Sequence, residues 1–148
     1  MLRLRLYHHP DGARVAYRET GNGPGLLLVH SLGLSHREFE PAVGALAERF
    51  RLVLPDLPLH GDSEDRPGHP YTPAWLTEVL AGFCAETLGP RPLVAGHGIG
   101  AELLLRAVVE QRLTPRRLVL MGTRLHGPEP HPLRRALWRG AGRAAAVP

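Results

Sequence analysis

Three short turns hold most of the residues in this sequence that could do chemistry, and each follows an apolar run. The turn at residues 30–33 (HSLG) follows GLLLV, and the turn at 56–63 (DLPLHGDS) follows RLVLP. The third turn, residues 96–100 (GHGIG), lies between PLVA and a segment with helical spacing. Continuous apolar runs of this length are typical of parallel strands buried on both faces. Each turn is therefore predicted to begin where a buried strand ends.

The turn at 96–100 has the pattern of a nucleophile elbow, in which small residues flank a central residue between a strand and a helix. The central residue normally carries a nucleophile, held at the helix N-terminus where N–H groups and the helix dipole favour negative charge. Gly96 and Gly100 match the flanking positions, and His97 precedes the centre. The centre itself is Gly98, so the nucleophile position is predicted to be vacant.

Taken together, the three turns resemble the α/β-hydrolase superfamily, in correct order and spacing from residue 1 to about residue 125. The resemblance implies that residues 30–33 form an oxyanion loop, in which the backbone N–H groups of Leu32 and Ile99 are the donors. It places His30, Ser31 and His97 at the pocket. Residues 56–63 look like the family's Asp-x-x-Gly-x-Gly-x-Ser turn, and the Ser-Leu-Gly sequence is similar to enol-lactonases.

Two departures from the family determine the functional prediction. Serine hydrolysis needs an oxygen nucleophile, a base and a group that orients the base. Gly98 supplies no nucleophile, and the family's acid and histidine follow later strands than those in this chain. We therefore expect a degenerate hydrolase that lacks the triad, is catalytically inactive and acts by binding a small-molecule ligand.

Two other functions stay open. In the first, the chain is a fragment or variant of an active serine hydrolase on ester or lactone substrates. In the second, it is an interaction module that docks through an exposed sheet edge. Esterase activity would separate the first from an inactive protein, and the mass in solution would test the second.

Other reactive side chains have simpler interpretations. We expect His97 to be a packed elbow histidine that points away from the pocket, and not a base. Ser31 is an unfavoured nucleophile, because its turn aims backbone donors at a substrate. Cys84 lies among apolar neighbours and is expected to be a buried structural thiol. Asp56 and Asp62 are expected to bind local backbone N–H groups in their turn.

No metal or cofactor site is predicted. The remaining histidines show no recognised metal-ligand spacing with carboxylates or cysteines; they are His8, His9, His36, His60, His69, His126 and His131.

The hydrophobic periodicity predicts an α/β fold. An antiparallel hairpin is expected at residues 2–19, buried strands at 25–30, 52–54, 93–95 and 118–121, and helices at 36–50, 73–88 and 99–112. Strands that alternate with single helices form right-handed units in a parallel sheet. The prediction is a truncated α/β-hydrolase fold with a mostly parallel six-stranded sheet, helices on both faces and the hairpin at one edge.

Composition and charge favour one domain at residues 1–123 and an Arg-rich tail at 124–148, read as a remnant of a cap region. The chain has 148 residues, 43% of them hydrophobic, and a net charge of +4. All 18 basic residues are arginine, and five of them face one acid, Glu129, beyond residue 123. A nucleic-acid binder would more often spread its charge over the folded face.

Location and assembly are also predicted. The single cysteine and the lack of a signal-like start or a long apolar run favour a cytoplasmic protein with no membrane segment. We expect a homodimer, or a complex with a complementing chain, formed through the face near Leu118–Met121 and helix 36–50. The competing solution is that the tail covers this face with Leu133, Leu137 and Trp138.

Overall fold

The computed structural model describes residues 1–66 and 68–123. Six strands are present: β1 (Arg3–His8), β2 (Arg14–Thr20), β3 (Gly25–Val29), β4 (Arg51–Pro55), β5 (Leu93–His97) and β6 (Arg117–Met121). A 3-10 helix at His36–Phe39 leads into α1 (Glu40–Ala47), and two longer helices follow, α2 (Pro73–Leu88) and α3 (Ile99–Val109).

The strands form one sheet in the order β1-β2-β4-β3-β5-β6. The hairpin strand β1 pairs with β2, and β2 pairs with β4, both in antiparallel register. The other four strands are parallel, with β3 lying between β4 and β5, and β6 forming the far edge. The predicted mostly parallel six-stranded sheet with an antiparallel hairpin at one edge is confirmed.

Helices cover the two faces of the sheet unequally. Helices α2 and α3 pack on one face, where Leu27, Val53 and Phe83 are buried in the larger core. Helix α1 packs on the other face, over a smaller core that includes Leu28 and Leu54. No residue of α1 is fully buried. The second face is therefore only partly covered by the described residues.

This partial cover leaves an apolar groove between α1 and the β6 edge, which we call the β6 groove. Val119 and Met121 of β6 are exposed along it. Its apolar lining residues come from three strands and the α1 segment: Leu26, Leu28, Phe39, Ala42, Leu46, Phe50, Leu93, Val94, Ala95, Val119 and Met121. Among the described residues, this groove lies on the face near Leu118–Met121 and residues 36–50, where the sequence predicts an interface.

Two predicted helices differ from the observed ones. The helix expected at 36–50 starts as a 3-10 turn, becomes α-helical at Glu40 and ends at Ala47. The backbone N–H of His36 donates to Asp56 at 2.7 Å, and Pro41 stands in the first turn of α1, where proline fits. Helix α3 ends at Val109 rather than 112, and Gln111 has a φ of 58° that no helix continues through.

Helix α2 holds the only cysteine of the chain. Cys84 is fully buried against the larger core, and this burial raises the pKa of its thiol to about 12. In the part of the chain that the structure describes, no helix has the length and apolar character that crossing a bilayer requires. The predicted tail at 124–148, including the arginines assigned to it, lies outside the described residues.

Candidate functional site

The three turns meet at the carboxyl ends of the parallel strands. From β3 the chain passes to β4 on one side, while β5 lies on the other side of β3. Ligands of open α/β sheets bind at such points, where the strand order reverses. The turns after β3, β4 and β5 are the turns that the sequence singles out.

Gly98 has the backbone of an elbow. Its φ is 54° and its ψ is −121°, and it lies between β5 and the first turn of α3. L-residues with side chains adopt this region only with strain, as nucleophiles in elbows do. Close packing explains a flanking glycine too: a Cβ on Gly100 would lie 2.5 Å from the carbonyl oxygen of Val29.

Ser31 places its hydroxyl at the vacant position. A Cβ built on Gly98 would lie 2.0 Å from Oγ of Ser31 and 2.9 Å from its Cβ. The sequence places Ser31 at the pocket but favours its backbone over its side chain as the group that faces a substrate; in the structure the side chain also lies against the elbow. The loop brings the side chain of residue 31 over the elbow as well.

Glu38 connects Ser31 to His97, and no sequence pattern indicated it. One carboxylate oxygen, Oε2, accepts the backbone N–H of Ser31 at 2.9 Å, and the other contacts Nδ1 of His97. The side chain of His97 is 40% exposed. His97 is therefore not packed away as expected but is half-exposed and paired with an acid. Glu38 and His97 are 59 positions apart in the chain, so only the fold brings them together.

His30 is buried and holds two turns together. Its Nδ1 lies 2.8 Å from the carbonyl oxygen of Ser31, and its Nε2 accepts the backbone N–H of Leu57 at 2.9 Å. Since Nε2 is an acceptor, the ring is neutral with its proton on Nδ1. Burial lowers the pKa of His30 below its usual 6.5, and this effect outweighs the hydrogen bond to Ser31. His30 therefore shapes the site and does not carry charge into it.

His60 occupies one donor of the oxyanion loop. Its Nε2 accepts the backbone N–H of Gly33 at 3.0 Å, and its ring lies 5.1 Å from that of His30, centre to centre. Gly33 therefore has no N–H for a ligand. Leu32 is 73% exposed in the same loop. Ile99 is the first residue of α3, where N–H groups have no acceptor within the helix. Their assignment as oxyanion donors stays a prediction.

Asp56 fastens the second turn beneath the site. Its carboxylate accepts the backbone N–H of Asp62 at 2.9 Å, as expected for a turn aspartate, and also the N–H and ring of His36. Burial raises the pKa of Asp56, but the hydrogen bonds from Asp62 and His36 outweigh it, so the pKa lies below its usual range. The carboxylate is thus held in its charged form.

Within residues 1–66 and 68–123, one group of side chains has atoms close enough to share a metal ion: His36, Asp56 and Asp62. Both oxygens of Asp56 already accept hydrogen bonds, and Asp62 pairs with Arg18 at 2.5 Å. The chemistry of this group is accounted for by hydrogen bonds and an ion pair.

Comparison with known proteins agrees with the fold. A family model described as "Alpha/beta hydrolase family" matches residues 26–148. A solved hydrolase from Pseudomonas aeruginosa PA01 superimposes with a TM-score of 0.77 at 29% identity, over 96% of this chain and 52% of that protein. An alpha/beta hydrolase fold protein from Burkholderia ambifaria gives a TM-score of 0.76 at 25% identity, over 97% and 53%.

Among curated relatives, the pimeloyl-[acyl-carrier protein] methyl ester esterase of Nitrosomonas europaea is 31% identical over 126 residues. That match covers 85% of this chain and 46% of the esterase. The chain thus spans about half the length of the solved structures, and less than half of this curated relative.

Proposed function

This chain belongs to the alpha/beta hydrolase family, and we propose that its elbow site binds a carbonyl-containing ligand of the ester or lactone class without the family's serine chemistry. The backbone N–H groups of Leu32 and Ile99 donate to the carbonyl oxygen. Since residue 98 has no side chain, bound ligand forms no covalent adduct there. The chain then acts by binding and is a pseudoenzyme.

The observation that carries this proposal is glycine in a retained elbow. The φ and ψ of Gly98, and the close approach of Gly100 to β3, are those of a turn built to present a nucleophile. The donors around the position are positioned by the same backbone, so they remain when the side chain is absent. The esterase named among the relatives supports the ester class as ligand.

The test is a titration of the ¹⁵N-labelled chain with δ-valerolactone, followed by amide chemical shifts. We expect saturable shifts at Leu32 and Ile99. Ile99→Pro removes one donor while fitting the first position of a helix, so it should weaken binding; Ile99→Ala keeps the N–H and is the matched control. Equal affinity of Ile99→Pro and Ile99→Ala for the lactone would show that the N–H of Ile99 does not bind the ligand. An absence of saturable shifts in the unmodified chain would overturn the proposed function.

A variant or fragment of an active serine hydrolase is the second candidate, favoured by the elbow backbone that Gly98 keeps. It differs from the first in one measurable respect, which is turnover. Saturable hydrolysis of p-nitrophenyl acetate by the purified chain would favour it, and hydrolysis at the rate of the buffer would favour binding.

An interaction module is the third candidate, favoured by the β6 groove and by β6 at the edge of the sheet. An edge strand presents unpaired backbone groups to another chain. This candidate would be supported by a mass in solution above that of one chain that falls to the mass of one chain when residues of the β6 groove are substituted.

A further inference from the structure

The geometry points to Ser31 as the residue that replaces the missing side chain at the elbow: its hydroxyl contacts the carbonyl group of the bound ligand. This inference rests on the proposed function and names the side chain that the site uses. It also gives a reason for glycine at position 98.

The first step is that the side chain of Ser31 and a side chain at position 98 exclude each other. A Cβ on residue 98 would lie 2.0 Å from Oγ of Ser31, well inside the contact distance of any two unbonded heavy atoms. A side chain at 98 and the hydroxyl of Ser31 cannot both occupy this place. Glycine at 98 is therefore what allows Ser31 to lie over the elbow.

The second step is that the backbone of Ser31 is held firmly. Its N–H donates to Glu38 at 2.9 Å, and its carbonyl oxygen accepts the Nδ1 proton of His30 at 2.8 Å. The N–H of Leu34 donates to the same carbonyl at 3.2 Å. A donor fixed before binding loses little entropy when a ligand arrives.

The third step is that the hydroxyl itself is available. Among the hydrogen bonds of residues 1–66 and 68–123, none involves Oγ of Ser31. It lies beside Gly98, one residue before the N–H of Ile99. A carbonyl oxygen has two lone pairs and can accept from both an N–H and this O–H.

The fourth step concerns the charge of the ligand. The carboxylate of Glu38 lies against the backbone of Ser31 and is only 16% exposed. An anionic ligand would be repelled by this carboxylate more strongly than a neutral one. This carboxylate therefore opposes the attraction of the α3 N-terminus for negative charge and favours the neutral carbonyl of an ester or lactone over a carboxylate product.

The experiment measures binding of two probes, δ-valerolactone and 5-hydroxypentanoate, by amide shifts in matched variants. Ser31→Ala should raise the dissociation constant for the lactone by about three- to tenfold, the range of one hydrogen bond. Thr114→Ala removes an exposed hydroxyl before β6, at the end of the sheet opposite the elbow, and should leave affinity unchanged. Glu38→Gln should narrow the preference for the lactone over the carboxylate.

A second measurement tests the exclusion without any ligand. Gly98→Ala should lower the melting temperature more in the native chain than in a Ser31→Gly background, because only the native chain has the colliding side chain. An equal decrease in melting temperature in the two backgrounds would show that Ser31 does not collide with a side chain at position 98. Lactone binding that is unchanged by Ser31→Ala would overturn the role of Ser31 while leaving the proposed function standing. If the unmodified chain binds neither probe, both fail.

Discussion

Gly98 differs from a working elbow residue by a side chain that its surroundings no longer accommodate. The backbone keeps a conformation that favours glycine, and the hydroxyl of Ser31 lies in the space that a Cβ would need. Restoring a serine there therefore meets two obstacles, strain and collision. Substitution of Ser31 by a smaller residue together with Gly98→Ser would remove the collision but not the strain.

Gly98→Ser alone should restore no turnover and should destabilise the fold. Strain in this region costs about 1–3 kcal/mol, and displacement of Ser31 adds to it. Urea denaturation measures the loss. Gly89→Ser is the control, because Gly89 also has a positive φ, 80°, but nothing lies within 4 Å of a Cβ there. A loss no larger at 98 than at 89 would contradict the collision.

His30 should make stability depend on pH. Its pKa in the folded chain lies below 6.5, so the unfolded chain binds the proton more readily. Stability from neutral His30 is complete above about pH 6.5 and decreases as the pH falls below that value. Asp56 contributes to stability in a lower pH range. Its pKa is depressed in the folded chain, so the stability that its carboxylate provides is lost only as the pH falls below 3.8.

Denaturation curves between pH 7 and pH 5 test this dependence. His30→Gln keeps an acceptor for Leu57 and a donor for Ser31 but cannot take up a proton. It should flatten the decrease in the free energy of unfolding, whereas His8→Gln at an exposed position of β1 should not. If the free energy of unfolding of His30→Gln decreases with pH as steeply as that of the native chain, a group other than His30 causes the pH dependence.

At the scale of elements, Asp56 joins the end of β4 to the start of the 3-10 helix. Asp56→Asn keeps the size but places an amide N–H₂ against donors from His36 and Asp62. We expect a loss of about 2–3 kcal/mol in the free energy of unfolding, as for a lost hydrogen bond to a charged group. Asp62→Asn removes the charge of a side chain that is 54% exposed but keeps an oxygen that can accept from Arg18, so it should cost less than about 1 kcal/mol. Equal losses of unfolding free energy in Asp56→Asn and Asp62→Asn would show that the hydrogen bonds of Asp56 do not stabilise this part of the fold.

The elements themselves were largely predictable from the sequence. Apolar runs located β3 to β6 within one or two residues, because strands buried on both faces leave a continuous signal. Thr72 and Pro73 marked the start of α2, where the Thr72 side chain accepts the N–H of Trp75. The sequence does not indicate the 3-10 turn that begins the helix predicted at 36–50, because a distant carboxylate, Asp56, holds that turn.

The contacts of the site were not predictable. The glycine pattern indicated the elbow, since close backbone approach at Gly100 leaves a signal in the sequence. Glu38 left none, because nothing local distinguishes a glutamate that faces His97 from one on a solvated helix. The orientation of Ser31 likewise depends on the bonds that Glu38 and His30 make to its backbone.

At the scale of the whole molecule, the β6 groove is the feature that bears on assembly. Parallel sheets are almost always covered on both faces, and an open apolar face is typical of an interface. We propose that a second copy of this chain, or a complementing chain, covers the groove. The residues at 124–148 are the competing cover and lie outside the described part of the chain.

Val119→Arg should shift the chain from dimer to monomer in light scattering at micromolar concentration. Val119 is 52% exposed and lines the groove, so an arginine there disturbs an interface more than the fold. Val109→Arg at the end of α3 is the control, since Val109 is 73% exposed and lies outside the groove. A native chain that is monomeric, with a segment 124–148 that resists proteolysis, would favour the competing cover.

The burial of Cys84 turns the chain into its own reporter of opening. Because the thiol is the only one in the sequence and its pKa is about 12, a thiol reagent reacts only with molecules in which α2 has separated from the sheet. The rate of modification under native conditions therefore measures the free energy of that separation, as amide exchange does. A ligand that binds the closed chain would slow the same reaction, so the thiol at Cys84 would report the affinity of the site without a change to any residue of the elbow.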